Sequence, residues 1–142
     1  MIVQTQTTQF KSDCLSGLVN FTTTSPYVYK VALYTALTNL SNTTATYSGT
    51  TAEVVAAGYT AGGNTIAMSA NPGTDTTNNI AFPYFTNVTW TGATITARGA
   101  LIYNATTGNS VAVLNFGSDI TMTNFTITWP LASSSTAVIT IS

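Results

Sequence analysis

Acid–base or nucleophilic chemistry in this chain would have to come from Asp13, Glu53, Asp75 and Asp119, its only carboxylates, and Cys14, its only thiol. Two carboxylates brought together can hydrolyse a glycosidic bond, and a carboxylate with backbone carbonyls can hold calcium. The four acids stand singly among turn-forming or polar residues, so folding alone would have to assemble a pair. Near Asp75 or Asp119 such a calcium site would be one ligand-poor site at most. There is no histidine, the side chain that most often titrates near neutrality. Ser/His/Asp and Cys/His sets therefore cannot be built, nor can a zinc site from one cysteine. We expect no catalytic residues, no metal site and no cofactor.

The remaining motifs read as structure. Cys14 sits among apolar residues, as a buried inert thiol does, and a lone cysteine excludes an internal disulfide framework. Gly58-Tyr59-Thr60-Ala61-Gly62-Gly63 is followed by no lysine and opens no helix, so it reads as a tight turn into a strand and not as a phosphate loop. Arg98 is the only arginine. It could pair with Glu53 or Asp119 to fix sheet packing, or make a bidentate contact at a subunit boundary. Trp90 and Trp129 read as core. Tyr27, Tyr29, Tyr47 and Tyr59 are amphipathic and flanked by polar loop residues, which suits an interface. With Met1, Ile2, Val3, Gln4 and Arg98 they make up the expected contact residues.

Composition points the same way. Only seven of 142 residues are charged (Lys11, Asp13, Lys30, Glu53, Asp75, Arg98 and Asp119), whereas 31 are threonine. An average soluble chain of this length would carry about 35 charges. Hydrophobic content of 44% lies in the globular range, the reverse of the disordered pattern. Three scattered basic residues give no electrostatic footprint for nucleic acid. No apolar run approaches the roughly 18 residues that cross a bilayer, and MIVQTQTTQF has no secretory signal pattern, so synthesis in a cytoplasm is expected. Six N-x-S/T sequons, beginning with Asn20 and Asn39, follow from so much Asn and Thr and imply no glycosylation on that route.

The elements that must position these residues are mostly strands. Residues 1–9 are polar and extended, either frayed or an arm across a neighbouring subunit; residues 10–142 form one β-rich domain. Phe10, Cys14, Leu15 and Leu18 recur at helical spacing and predict a short helix over Phe10–Phe21, weakened by Gly17. Strands are predicted at Tyr27–Thr35, Asn64–Ser69, Ile80–Tyr84, Asn87–Trp90, Thr94–Tyr103, Val111–Phe116, Phe125–Trp129 and Ala137–Ile141. Glu53–Ala56 is a short strand or a turn. Thr38–Thr51 and Ala70–Asn79 are predicted as loops, and Asn104–Ser110 as a hairpin connection with Gly108 near its end. The sum is a mainly β fold: an antiparallel β-sandwich of about seven or eight short strands with one short N-terminal helix.

The segments GYTAGG (58–63), TNVTWTGATITARGALIYN (86–104) and AVLNFGSD (112–119) resemble small structural virion proteins of tailed bacteriophages. FTITWP (125–130) and KSDCLSGLVNF (11–21) before YKVALYT (29–35) are similar to the same pattern. The resemblance implies a particle component made in the host cytoplasm without a signal peptide and located in the virion. Its implied partners are the major capsid protein or other virion subunits. So little charge also exposes strand edges to pairing, and self-association as a dimer or trimer is expected. Composition leaves neither nucleic acid nor membrane as a partner. A capsid cement or decoration protein suits a small domain with no internal repeat. A tail or head-fibre component, acting as adaptor or as host-receptor or glycan-binding module, is the alternative. A glycan-processing enzyme or lectin unrelated to virions is a third reading, and the missing catalytic groups weigh against the enzyme.

Overall fold

The computed structural model describes residues 1–49 and 52–142; Thr50 and Thr51, at the end of the expected 38–51 loop, lie outside the described residues. In chain order the elements are β1 (Thr5–Gln6), α1 (Thr8–Leu15), β2 (Tyr29–Tyr34), β3 (Asn64–Ile66), β4 (Met68–Asp75), β5 (Ile80–Phe85), β6 (Val88–Asn104) and β7 (Ser110–Ile127). They form a five-stranded sheet of order β1-β7-β6-β2-β3 and a two-stranded sheet of β4 and β5, with every pairing antiparallel. The fold is mainly β with one short helix, as the composition and periodicity predict.

Both faces of the five-stranded sheet are buried, which explains why β2 reads as a nearly continuous apolar run. On one face Tyr29, Val31 and Leu33 of β2 and Ala100 and Ile102 of β6 join Phe10 of α1, Phe21, Trp129 and Ile139 in the main core. The Phe21 ring bridges the two sheets, 4.7 Å from Tyr29 and 5.7 Å from Phe85 of β5. On the other face Ala32, Tyr34, Leu101, Tyr103 and Val113 pack under Ile2 and Leu40.

Ile2 therefore belongs to the core. The N-terminal residues lie along their own sheet: Ile2 bridges Leu40 in parallel, the Val3 N–H donates to the Leu40 carbonyl at 2.8 Å, and Thr5 and Gln6 pair with Val113 and Ala112. The terminal amine bonds the Thr38 carbonyl at 3.1 Å and the Asn39 side chain. One buried isoleucine and a row of backbone bonds anchor a segment that composition alone marks as polar and unattached.

The helix is shorter than its predicted span. Thr7 caps it, its hydroxyl accepting the Phe10 N–H at 3.1 Å. Gly17 then takes φ +72°, the Gly17 N–H reaches the Cys14 carbonyl and the Leu18 N–H the Asp13 carbonyl, a Schellman ending. The chain turns away there, which leaves Leu15 exposed although its spacing fits the buried face.

Other boundaries also move. Ala70–Asn79 is largely strand: β4 runs through Asn71-Pro72-Gly73, and its register slips between Ala70 and Gly73, around the proline that has no N–H to give. The predicted pairs Asn87–Trp90 with Thr94–Tyr103, and Val111–Phe116 with Phe125–Trp129, fuse into the long strands β6 and β7. Ala137–Ile141 forms no strand; Ile141 makes a single antiparallel bridge to Ala81. Glu53 likewise makes one bridge, to Tyr34. The hairpin at Asn104–Ser110 is present, with Gly108 at φ +83°.

Two glycines with positive φ separate strain from crowding. Gly17 has open space around it, so Gly17→Ala carries only the left-handed backbone penalty, about 1–2 kcal/mol. At Gly63, φ +68°, an added Cβ would overlap the Val31 carbonyl, so Gly63→Ala adds displacement of β2 and costs more than about 3 kcal/mol. Urea unfolding of the two variants measures the difference.

Candidate functional site

Two constellations stand out, one closed and one open. The closed one surrounds Glu53, whose side chain is 7% exposed. Backbone bonds from Thr35 N–H to Ala52 O (2.8 Å) and from Val54 N–H to Leu33 O (2.9 Å) lay this segment beside β2. The carboxylate then accepts three donors at 2.7 Å: the Tyr47 hydroxyl on Oε2, and the Tyr59 hydroxyl and Gly62 N–H on Oε1. Tyr59 in turn accepts the Leu33 N–H at 2.9 Å, Tyr103 donates to the Gly62 carbonyl at 2.7 Å, and Tyr34 donates to the Ser48 carbonyl at 2.9 Å. The Tyr47 and Tyr103 rings stack at 4.5 Å.

No lysine or arginine within ion-pair distance of Glu53 is found among the described residues. Three short donors replace a cation as compensation for burial. Burial, followed by the Glu53 charge or hydrogen bond, pushes the phenols of Tyr34, Tyr47 and Tyr103 up; for Tyr59 burial leads and the Leu33 N–H opposes it. The phenols thus stay neutral and act as donors. With its oxygens occupied, this carboxylate ties the 47–49 and 58–63 loops to β2.

The open constellation is the ribbon that β6 and β7 form beyond the sheet. On its outer face threonine hydroxyls pair across the strands: Thr89 with Thr126 at 2.9 Å, Thr94 with Thr123 at 2.9 Å and Thr96 with Thr121 at 2.7 Å. On its inner face Trp90, Ala93, Ile95 and Ala97 are buried, opposite Phe125, Met122 and Ile120. Two irregularities bend the ribbon. Residues 91–93 bulge against Asn124, where the Gly92 N–H meets the Asn124 side-chain oxygen at 2.6 Å. Residues 116–119 bulge against Arg98.

Arg98 closes that second bulge. Its Nε lies 2.7 Å from Asp119 Oδ1, and Nη1 donates to the Gly117 carbonyl at 3.0 Å. Within the chain Arg98 pairs with Asp119 and not with Glu53. Beyond the bulge β7 has β6 on one side only, since β1 covers just Ala112 and Val113. No further strand pairs with its other edge among the described residues. A shallow groove of about 200 Å³, lined by Phe116, Ile120, Met122, Phe125 and Ile127, runs beside this edge.

The expected contact residues scatter. Met1, Val3 and Gln4 are exposed, Tyr27 is half-buried, and Tyr47 and Tyr59 are turned onto Glu53. Ile2 and Tyr29 are buried in the chain's own core; the Tyr29 hydroxyl accepts the Asn20 N–H, and burial pushes it up to about 12. Asp75 spends its carboxylate on the β4–β5 turn, held down at about 2 by the Ser134 hydroxyl and then by Asn78. Among the described residues no three His, Cys, Asp or Glu side chains gather. The threonine pairs and the Ile120–Met122 edge are absent from the sequence expectations, although the alternation ITMTNFTI (120–127) announces them. No family model, curated protein or solved structure matches this chain.

Two outcomes follow from the Glu53 cluster. Glu53→Gln keeps the size but presents an amide N–H to a donor, and should lose about 2 kcal/mol of stability in urea unfolding. The tyrosine shifts also fix an alkaline limit. A folded pKa raised above the unfolded 10 means the unfolded chain releases protons first, so stability holds below pH 10 and falls above it. For Tyr29 the loss runs from pH 10 to about 12, readable as thermal midpoints across that range.

Proposed function

We propose that this chain is a non-enzymatic structural protein of a tailed-bacteriophage particle, most specifically a cement or decoration protein that binds and stabilises the assembled shell. The observation that carries the reading is the β6–β7 ribbon. It offers a neutral threonine face whose hydroxyls already bond one another, beside an unpaired strand edge and an apolar groove. Such a surface releases water at low cost when another protein covers it, because its only charges, Arg98 and Asp119 at the bulge, already pair with each other. The resemblance of the 86–104 and 112–119 segments to virion proteins supports a particle component, and a compact domain without internal repeats favours the shell over a fibre.

Stabilisation would follow mass action, through binding to the assembled shell and not to dissociated subunits. With one half-exposed ion pair on the surface concerned, little Coulomb energy is open to screening. Affinity for the particle should therefore change less than about threefold between low and moderate salt, measured by co-sedimentation with shells. Quantitative mass spectrometry of purified particles decides the placement. Hundreds of copies per particle support cement, a dozen or fewer support a tail or fibre position, and absence from the particle overturns the virion reading.

A further inference from the structure

The open edge of β7 from Ile120 to Ile127 is eight residues long, about 27 Å at strand spacing. It holds no charged side chain, and Asp119 at its head is already bound to Arg98. An acidic or basic partner gains nothing from such an edge. A strand of equal neutrality does, because it satisfies the unpaired backbone groups without desolvating an ion. The chain itself carries that strand.

We propose that two copies of this protein join edge to edge through β7, antiparallel across a twofold axis at Met122. This deepens the structural role proposed above by naming the surface of self-association, and rests on that reading only for where the dimer would work. The register follows from side-chain parity, since a slip by one residue would set outer threonines against inner apolar groups. Centred on Met122, Thr121 of each copy faces Thr123 of the other, so the outer threonine row continues across four strands. On the inner face the two Met122 side chains, each 42% exposed in the single chain, cover one another beside Ile120. In this register the pairing runs from Ile120 to Asn124, where φ +55° of Asn124 and the 119 bulge end it. Centring on Thr121 would draw Thr123 onto Asp119 of the bulge, and centring on Thr123 would set outer Thr121 against inner Phe125.

The test uses the whole protein in a Cys14→Ser background. Directly opposed residues of an antiparallel pair have Cα atoms about 4.5–5.5 Å apart, within disulfide reach. Met122→Cys should therefore form a covalent dimer under mild oxidation at least about tenfold faster than Val55→Cys, a fully exposed control outside the ribbon. Met122→Lys should weaken the dimer at least about tenfold by sedimentation, because two ammonium groups then meet at the axis. Its circular dichroism should match the parent, and if it does not fold, the cross-linking comparison stands alone. A parent protein that stays monomeric to about 1 mM overturns the proposal, as does equal cross-linking at the two cysteines or a dimer untouched by Met122→Lys in folded protein. A solution monomer leaves shell binding intact, whereas absence from particles leaves the dimer intact, so the two readings fail separately.

Discussion

The antiparallel pairing of β6 with β7 is the constraint on which the rest depends. Near the hairpin, the ladder from Gly99–Asn115 to Tyr103–Ser110 lies inside the five-stranded sheet and both its faces are covered. Past Arg98 the same two strands continue alone, from Ala97–Ile120 to Val88–Ile127. A free two-stranded ribbon is marginal in water. This one is held because Trp90, Ala93, Ile95 and Ala97 reach back into the main core, where Trp90 stacks on Tyr59 at 5.9 Å and meets Phe125 edge-on. The bulges at 91–93 and 116–119 supply the bend that brings them there.

Scarcity of charge shapes every other polar contact. The chain exposes 7149 Å², about 1,000 Å² for each of its seven charged residues. Two carboxylates are nevertheless buried, and neutral donors hold both. Glu53 has its phenols and a backbone N–H. Asp13 accepts Gln9 Nε2 at 2.8 Å and Asn109 Nδ2 at 2.9 Å, which ties α1 to the β6–β7 turn. Ser110 Oγ donates to the Thr7 hydroxyl at 2.9 Å beside them. Bonds of this kind are short-ranged and indifferent to ionic strength, so the molecule keeps its internal order without the electrostatics that usually disperse a protein of its size.

How much of this was legible follows from where the information lies. Local periodicity marked β2, β6 on both sides of its 91–93 bulge, both ends of β7, and the turn at Gly108, because alternation and turn chemistry are written in adjacent residues. The end of α1 was harder: Leu15 and Leu18 continue the helical spacing, and only the left-handed Gly17 stops it. Gly117, Ser118, Asp119 and Asn124 flank the short alternation of 120–123 and left 117–124 outside the expected strands, although a long-range ladder to β6 makes all of it strand. Pro72 misled in the same way, since β4 accommodates it by slipping register. Of the site, Arg98–Asp119 was an open alternative, but the Glu53 cluster joins tyrosines from four separate segments. No local pattern could assemble it.

The ends of the open edge bear on what it can do. At one end the 116–119 bulge, pinned by Arg98 and Asp119, separates the stretch covered by β1 from the stretch left bare. At the other, Trp129 turns the chain away with its indole N–H on the Thr86 carbonyl, and Pro130 follows. A strand added there is confined to about eight residues. The opposite edge of the sheet is β3, only three residues long, and β4 is interrupted by its register slips and proline. A strand edge that pairs with its own copy across a twofold uses the same surface twice and then closes, whereas a head-to-tail contact would propagate into a filament. Placing the lone arginine and an aspartate at the bulge fixes where such pairing stops.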